Sequence, residues 1–141
     1  MADISQTAAN VAIGASTTPT KRVQFGEAVT QGMPVYLSTD AKWYKTDAND
    51  TAAKAVAGGI VLTPASTNGY GLIATPSETP GTSLVNLGAT LTAGAIYCVS
   101  ANLGGIAPEA DIGSGHYLTI LGVAATTSLL DFRCVVTNTQ R

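Results

Sequence analysis

Short runs of β-branched and aromatic residues, each closed off by glycine, proline, asparagine or serine, limit what this chain can fold into more than any other feature. They are densest between Leu91 and Ala124, which reads Leu91-Thr-Ala-Gly94, Ala95-Ile-Tyr97-Cys-Val99-Ser100, Ala-Asn-Leu-Gly104-Gly105-Ile106-Ala-Pro108 and Gly115-His-Tyr117-Leu-Thr-Ile120-Leu-Gly122-Val-Ala124. Runs of this length and composition between turn residues predict strands, here three in succession.

The same punctuation extends through most of the chain. Val23-Gln-Phe25 opens it, and Val29-Thr-Gln-Gly32 makes a turn into Pro34-Val-Tyr36-Leu-Ser38, where a leading proline costs no ladder bond. Lys42-Trp43-Tyr44-Lys45 pairs back as a hairpin, and Ile60-Val-Leu62, Tyr70 to Ala74 and Leu84 to Leu87 continue the series. In the last run, Leu130, Phe132, Cys134 and Val136 alternate with Asp131, Arg133 and Val135, which predicts one dry face and one wet face. Thr51 to Ala57 is the one candidate helix, with Asp50 as its cap. The fold class is therefore all-β, an antiparallel β-sandwich or small β-barrel with at most one short helix.

Residues 1–22 are small and polar, bury little, and are expected to form an extended, flexible N-terminal arm ahead of a single β domain at 23–141. Val11 and Ile13 alternate within it as in a strand, which makes them the candidate contacts of an arm adding itself to an edge. Two β-rich halves, 23–75 and 84–136, joined by the 76–83 loop, are a further candidate division. Thr30-Gln-Gly32 and the strand after it align, with one gap, on Thr92-Ala-Gly94 and its strand, and Gly59-Ile-Val61 echoes Gly122-Val-Ala124. The implied repeat is about 62 residues long.

Only 11% of the 141 residues are charged and the net charge is −2. Seven scattered Lys and Arg form no basic patch for phosphates, so direct nucleic-acid binding is not expected. No run approaches the roughly 18–20 apolar residues of a membrane span, and the N-terminus lacks the regions of a secretory signal. A neutral, hydroxyl-rich surface suits a chain packed against partners.

Chemistry-bearing residues are few. His116, the sole histidine, with Cys98 or Cys134 would be the only thiol–base pairing, and a turn histidine and buried thiols are the expected states. Asp47-Ala-Asn49-Asp50 opens like a calcium loop but carries Ala52 and Gly58 where glycine and glutamate belong. Gly69-Tyr-Gly71-Leu-Ile-Ala74 has the letters of a dinucleotide fingerprint inside a strand, where that motif has no helix to open. No catalytic, cofactor or metal site is expected. Tyr36, Trp43, Tyr44 and Tyr70 are the candidate interface aromatics, with a carbohydrate platform beside Asp40 and Asn68 as the competing role.

Tyr97 to Ser100, Gly104 to Pro108, Ala110 to Ile112, Gly115 to Tyr117 and Leu121 to Ala124, in that order after Thr92-Ala-Gly94, resemble small tailed-bacteriophage capsid decoration, or cement, proteins. Pro34 to Ser38, Trp43-Tyr44, and the stretch from Asp47 through Ala52-Ala53 to Gly59-Ile-Val-Leu62 look like the central hairpin of the lambda-type head decoration proteins. The resemblance spans roughly residues 29–125. It implies a β-rich homotrimer, made in the host cytoplasm and carried on the outer capsid surface of the virion, that clamps neighbouring copies of the major capsid protein. The competing expectation is a receptor- or glycan-binding module of a phage fibre.

Overall fold

The computed structural model describes residues 3–141 and contains eleven strands. They are β1 (Ala12–Ile13), β2 (Thr20–Gln24), β3 (Pro34–Leu37), β4 (Trp43–Lys45), β5 (Gly59–Val61), β6 (Tyr70–Ala74), β7 (Leu84–Asn86), β8 (Ile96–Val99), β9 (Ile106–Pro108), β10 (Tyr117–Ala124) and β11 (Leu129–Gln140). All strand pairs are antiparallel, in one sheet ordered β2-β6-β5-β3-β4 and one ordered β1-β7-β11-β10-β8-β9. The expected all-β class holds. Of the two expected architectures the structure has the sandwich, because neither sheet closes into a barrel; the five-stranded one curls only until Phe25 and Trp43 meet at an isolated bridge.

Without β1, the two sheets have the same topology. Strands β2 to β6 and β7 to β11 follow each other in one order, and each unit carries its single 3-10 turn between the third and fourth strands, Ala53–Ala55 and Glu109–Asp111. Val23, Phe25, Gly26, Val29, Thr30, Gly32, Val35 and Ser38 correspond, at one constant offset of 62 positions, to Val85, Leu87, Gly88, Leu91, Thr92, Gly94, Tyr97 and Ser100. No gap is needed. The register places Gly59 opposite Val35 and Gly122 opposite Tyr97, so Val35, not Tyr36, is the counterpart of Tyr97.

Backbone hydrogen bonds repeat with the sequence. Val29 N donates to Ala65 O (2.9 Å) as Leu91 N does to Thr127 O (2.7 Å); Gly32 N donates to Val61 O as Gly94 N does to Ala124 O (both 2.8 Å). Gly32 and Gly94 have φ of 89° and 84°, a conformation that costs a residue with Cβ, so glycine recurs at this turn.

Alternation along the strands builds two main cores. Val23, Phe25, Val29, Val35, Trp43, Val61 and Ile73 fill the curl of the first unit. Ile60 and Ala74, on the other face of that sheet, pack with Val85, Leu87, Tyr97, Leu121, Leu130 and Phe132 of the second. Strand β5 is thus buried on both faces, as its unbroken Ile60-Val61-Leu62 run predicts.

Three local expectations need correction. Thr51 to Ala57 forms one 3-10 turn and no α-helix; Lys54 N donates to Thr51 Oγ1 (3.4 Å), while the Asp50 carboxylate pairs with the Lys54 ammonium. The alternation in β11 stops at Cys134, whose φ of 55° breaks the pleat, and beyond it Val135 and Val136 are both exposed. The leading segment, expected as a loose arm, lies on the body from Asp3 onward, with β1 paired to β7 and β2 already beginning at Thr20; Met1 and Ala2 lie outside the described residues.

Candidate functional site

The pleat separates the four aromatic candidates. Tyr36 and Tyr44 stand opposite each other on the outer face of the β3–β4 hairpin, with ring centroids 6.0 Å apart and planes tilted by 31°. Trp43, one residue earlier, turns the other way into the first core and is only 8% exposed. Tyr70 lies on β6, 59% exposed, with the Arg22 guanidinium 5.8 Å above its ring. These residues form no single platform. Trp43 is a core residue whose small remaining exposure opens beside β2, away from Tyr36 and Tyr44.

Around Tyr36 and Tyr44, Glu27, Lys45, Asp47, Asp50, Lys54 and Leu103 enclose a cavity of about 450 Å³. Tyr44 Oη donates to Asp40 Oδ2 (2.6 Å); that bond and the Lys42 amide hold the Asp40 carboxyl below the usual range, and the same bond raises the Tyr44 phenol. Burial raises Tyr36, opposed by the positive charge of Lys54. Lys54 Nζ is 2.6 Å from Asp50 Oδ2 and is raised by it, whereas Lys45 Nζ stands 3.7 Å from Glu27 Oε1. In a chain so poor in charge, this concentration of ionised groups beside two phenols can hydrogen-bond a polar ligand while a ring packs on it.

A different surface covers the outer face of the six-stranded sheet. Ile96, Ile120, Gly122, Val123 and Val135 make its apolar floor, with Val123 42% exposed. Asp131 and Arg133, paired at 3.6 Å, stand beside it. Asp131 Oδ2 accepts from Gly81 N (3.2 Å), and Asp131 Oδ1 is buried without a partner. The sequence marks Asp131, Arg133 and Val135 as the wet side of β11, but only pairing reveals that Ile96 of β8 and Ile120 and Val123 of β10 converge there.

The arm residues separate as well. Val11 is 7% exposed, packed within the molecule, and unavailable to a neighbour; Ile13, at 45%, faces out. Both thiols are free, Cys98 buried and Cys134 half-buried, and burial pushes them up to about 12 and about 11. Such thiols are not the ionised nucleophiles that thiol catalysis requires. The Asp47 loop is an Asx turn, with Asp47 Oδ1 accepting from Asn49 N (2.8 Å), and among the described residues no group of three or more His, Cys, Asp or Glu could hold a metal ion. Gly71 is explained by crowding: a Cβ there would stand 2.8 Å from Thr63 Oγ1 and 3.1 Å from the Phe25 ring. No helix among the described residues is long and apolar enough to cross a membrane. No family model, curated protein or solved structure matches the chain.

Proposed function

We propose that this chain is a structural virion protein, a decoration or cement protein that binds the outer surface of an assembled phage head and clamps neighbouring major capsid subunits, acting as a homotrimer and without enzymatic activity. The observation that carries the reading is the apolar floor of Ile96, Val123 and Val135 on a surface with few charges. Exposed aliphatic residues gathered on one sheet face favour burial against a broad partner. The resemblance of the strand and turn motifs to those of decoration proteins points the same way.

Clamping follows from mass action. A protein that binds the assembled lattice and not its free subunits stabilises the lattice by its binding free energy, and a trimer multiplies modest contacts through effective concentration. The test is co-sedimentation with expanded heads. Val123→Lys places a charge in the floor at an exposed site opposite Asp131, and is expected to abolish co-sedimentation with Tm unchanged; undiminished binding by this variant sinks the reading.

The cavity at Tyr36 and Tyr44 favours a second reading, a glycan-binding module. A glycan array distinguishes them: signal lost in a Tyr36→Ala, Tyr44→Ala variant that still binds heads assigns that cavity to a saccharide.

A further inference from the structure

The duplication allows one unit to be compared with the other inside a single molecule. In the second unit the outer strands of the repeat, β7 and β9, are both covered by the leading segment. Asp3 accepts from Ser100 Oγ and from Asn102 Nδ2 (3.3 Å) at the β8–β9 turn, and Ile4 N donates to Ile106 O (2.9 Å). Gln6 Nε2 reaches Leu87 O (3.0 Å), Thr7 N reaches Gly88 O (2.7 Å), and β1 then lies along β7, where Gly14 N donates to Leu84 O (2.6 Å).

The corresponding strands of the first unit are β2 and β4. Their backbones meet just past the end of β2, where Gly26 N donates to Trp43 O (2.9 Å) beside the Phe25–Trp43 bridge. Away from that contact β2 is the last strand on its side. Arg22 and Gln24, at the constant offset of the repeat, are the counterparts of Leu84 and Asn86, which receive β1 in the second unit. Between β2 and Leu37, Ala41, Trp43 and Tyr70 runs an open groove of about 400 Å³.

The groove is apolar and positively charged. Leu37 is 56% exposed, Lys21 Nζ lies 6.0 Å above the Trp43 ring and Arg22 sits over Tyr70. Among the described residues neither cation is ion-paired with a carboxylate. Charged residues on an edge can merely discourage pairing. Here they flank an aromatic floor without a carboxylate partner, and the duplicate of this edge is filled by an extended segment, Ala12 to Gly14, that carries the aliphatic Ile13.

We propose that the outer edge of β2 is a strand-accepting site, and that its occupant is an extended segment of a partner chain, aliphatic at alternating positions and bearing a carboxylate that faces Lys21 and Arg22. Main-chain bonds to Arg22 and Gln24 supply affinity, and the groove and the two cations supply selectivity. The site is independent of the apolar floor on the other sheet.

The full chain is tested with two probes, a synthetic peptide of the sequence of residues 3–14 and expanded phage heads. Trp43, the only tryptophan, reports from the groove. Binding at the edge slows hydrogen exchange at the Arg22 and Gln24 amides by about tenfold or more and shifts Trp43 emission; Lys21→Glu with Arg22→Glu, both at exposed positions, raises the peptide concentration for half-saturation by about tenfold. Protection by either probe upholds the site. An edge left unprotected by both probes overturns it, as does peptide protection that appears only at Leu84 and Asn86. Heads bound while both probes leave the edge bare overturn this site and leave the decoration reading standing; an edge protected by peptide in a protein that ignores heads does the reverse.

Discussion

Replacing Trp43 by alanine removes the bulkiest side chain of the first core, where it packs with Phe25, Val35 and Ile73, and the expected loss is about 3–5 kcal/mol by denaturant unfolding. A value below about 1 kcal/mol would show that the ring is a surface group after all. That assignment was not legible from residue type, which marks tryptophan equally for cores and interfaces; it follows from the pleat, which sends Trp43 inward and Tyr44 outward. Cys98 carries the pH prediction at this scale. Its thiol is raised from 9.0 to about 12 by burial, so above the unfolded value the unfolded chain ionises while the native chain keeps its proton. The unfolded state then binds fewer protons, and stability is full below about pH 9 and falls as pH rises toward 12. Cys98→Ala should flatten that decline in pH-dependent unfolding; an unchanged slope would assign it to other groups.

Each unit of the duplication depends on its own glycine turn, which makes the two turns matched controls. Gly32→Ala and Gly94→Ala each force a Cβ into φ near +90°, and each should cost about 1–2 kcal/mol, measurable as a lower denaturant midpoint. Gly32 has the larger expected loss, because its Cβ would also collide with Gln6 Nε2 and stand 3.1 Å from Val11, whereas nothing lies within 4 Å of Gly94. Equal losses would mean that the leading segment is not packed on Gly32 in solution. The strands were readable because turn residues bound each of them and β-branched runs fill them. The duplication was half readable: its period shows in Thr30 and Thr92, Gly32 and Gly94, but Tyr36 and Tyr97 attract each other in an alignment although one faces outward and the other inward. Composition misleads most over residues 3–19. Small polar residues bury little area, so the order of this segment rests on backbone bonds from Ile4, Thr7 and Gly14 and on two apolar anchors, the buried Val11 and the half-buried Ile4, none of which composition records. Truncation through Gly14 should therefore uncover β7 and lower Tm, with faster exchange at Leu84 and Asn86.

At the scale of the whole molecule, the scarcity of charge makes the two sheets separable by salt. Contact through the floor of Ile96, Val123 and Val135 is a burial of aliphatic surface, which salt leaves intact or strengthens. A strand held at β2 has in addition a carboxylate against Lys21 and Arg22, and raising ionic strength from 0.1 M to 1 M shortens the screening length from about 10 Å to about 3 Å. Head binding through the floor is accordingly expected to change less than about threefold over that range, while peptide affinity at the β2 edge falls by roughly tenfold. Sedimentation with heads and Trp43 fluorescence with peptide read the two responses on the same preparation. If head binding collapses with salt instead, ion pairs dominate the contact, and the few charges clustered around Tyr36 and Tyr44 or along β2 become the surface that meets the shell.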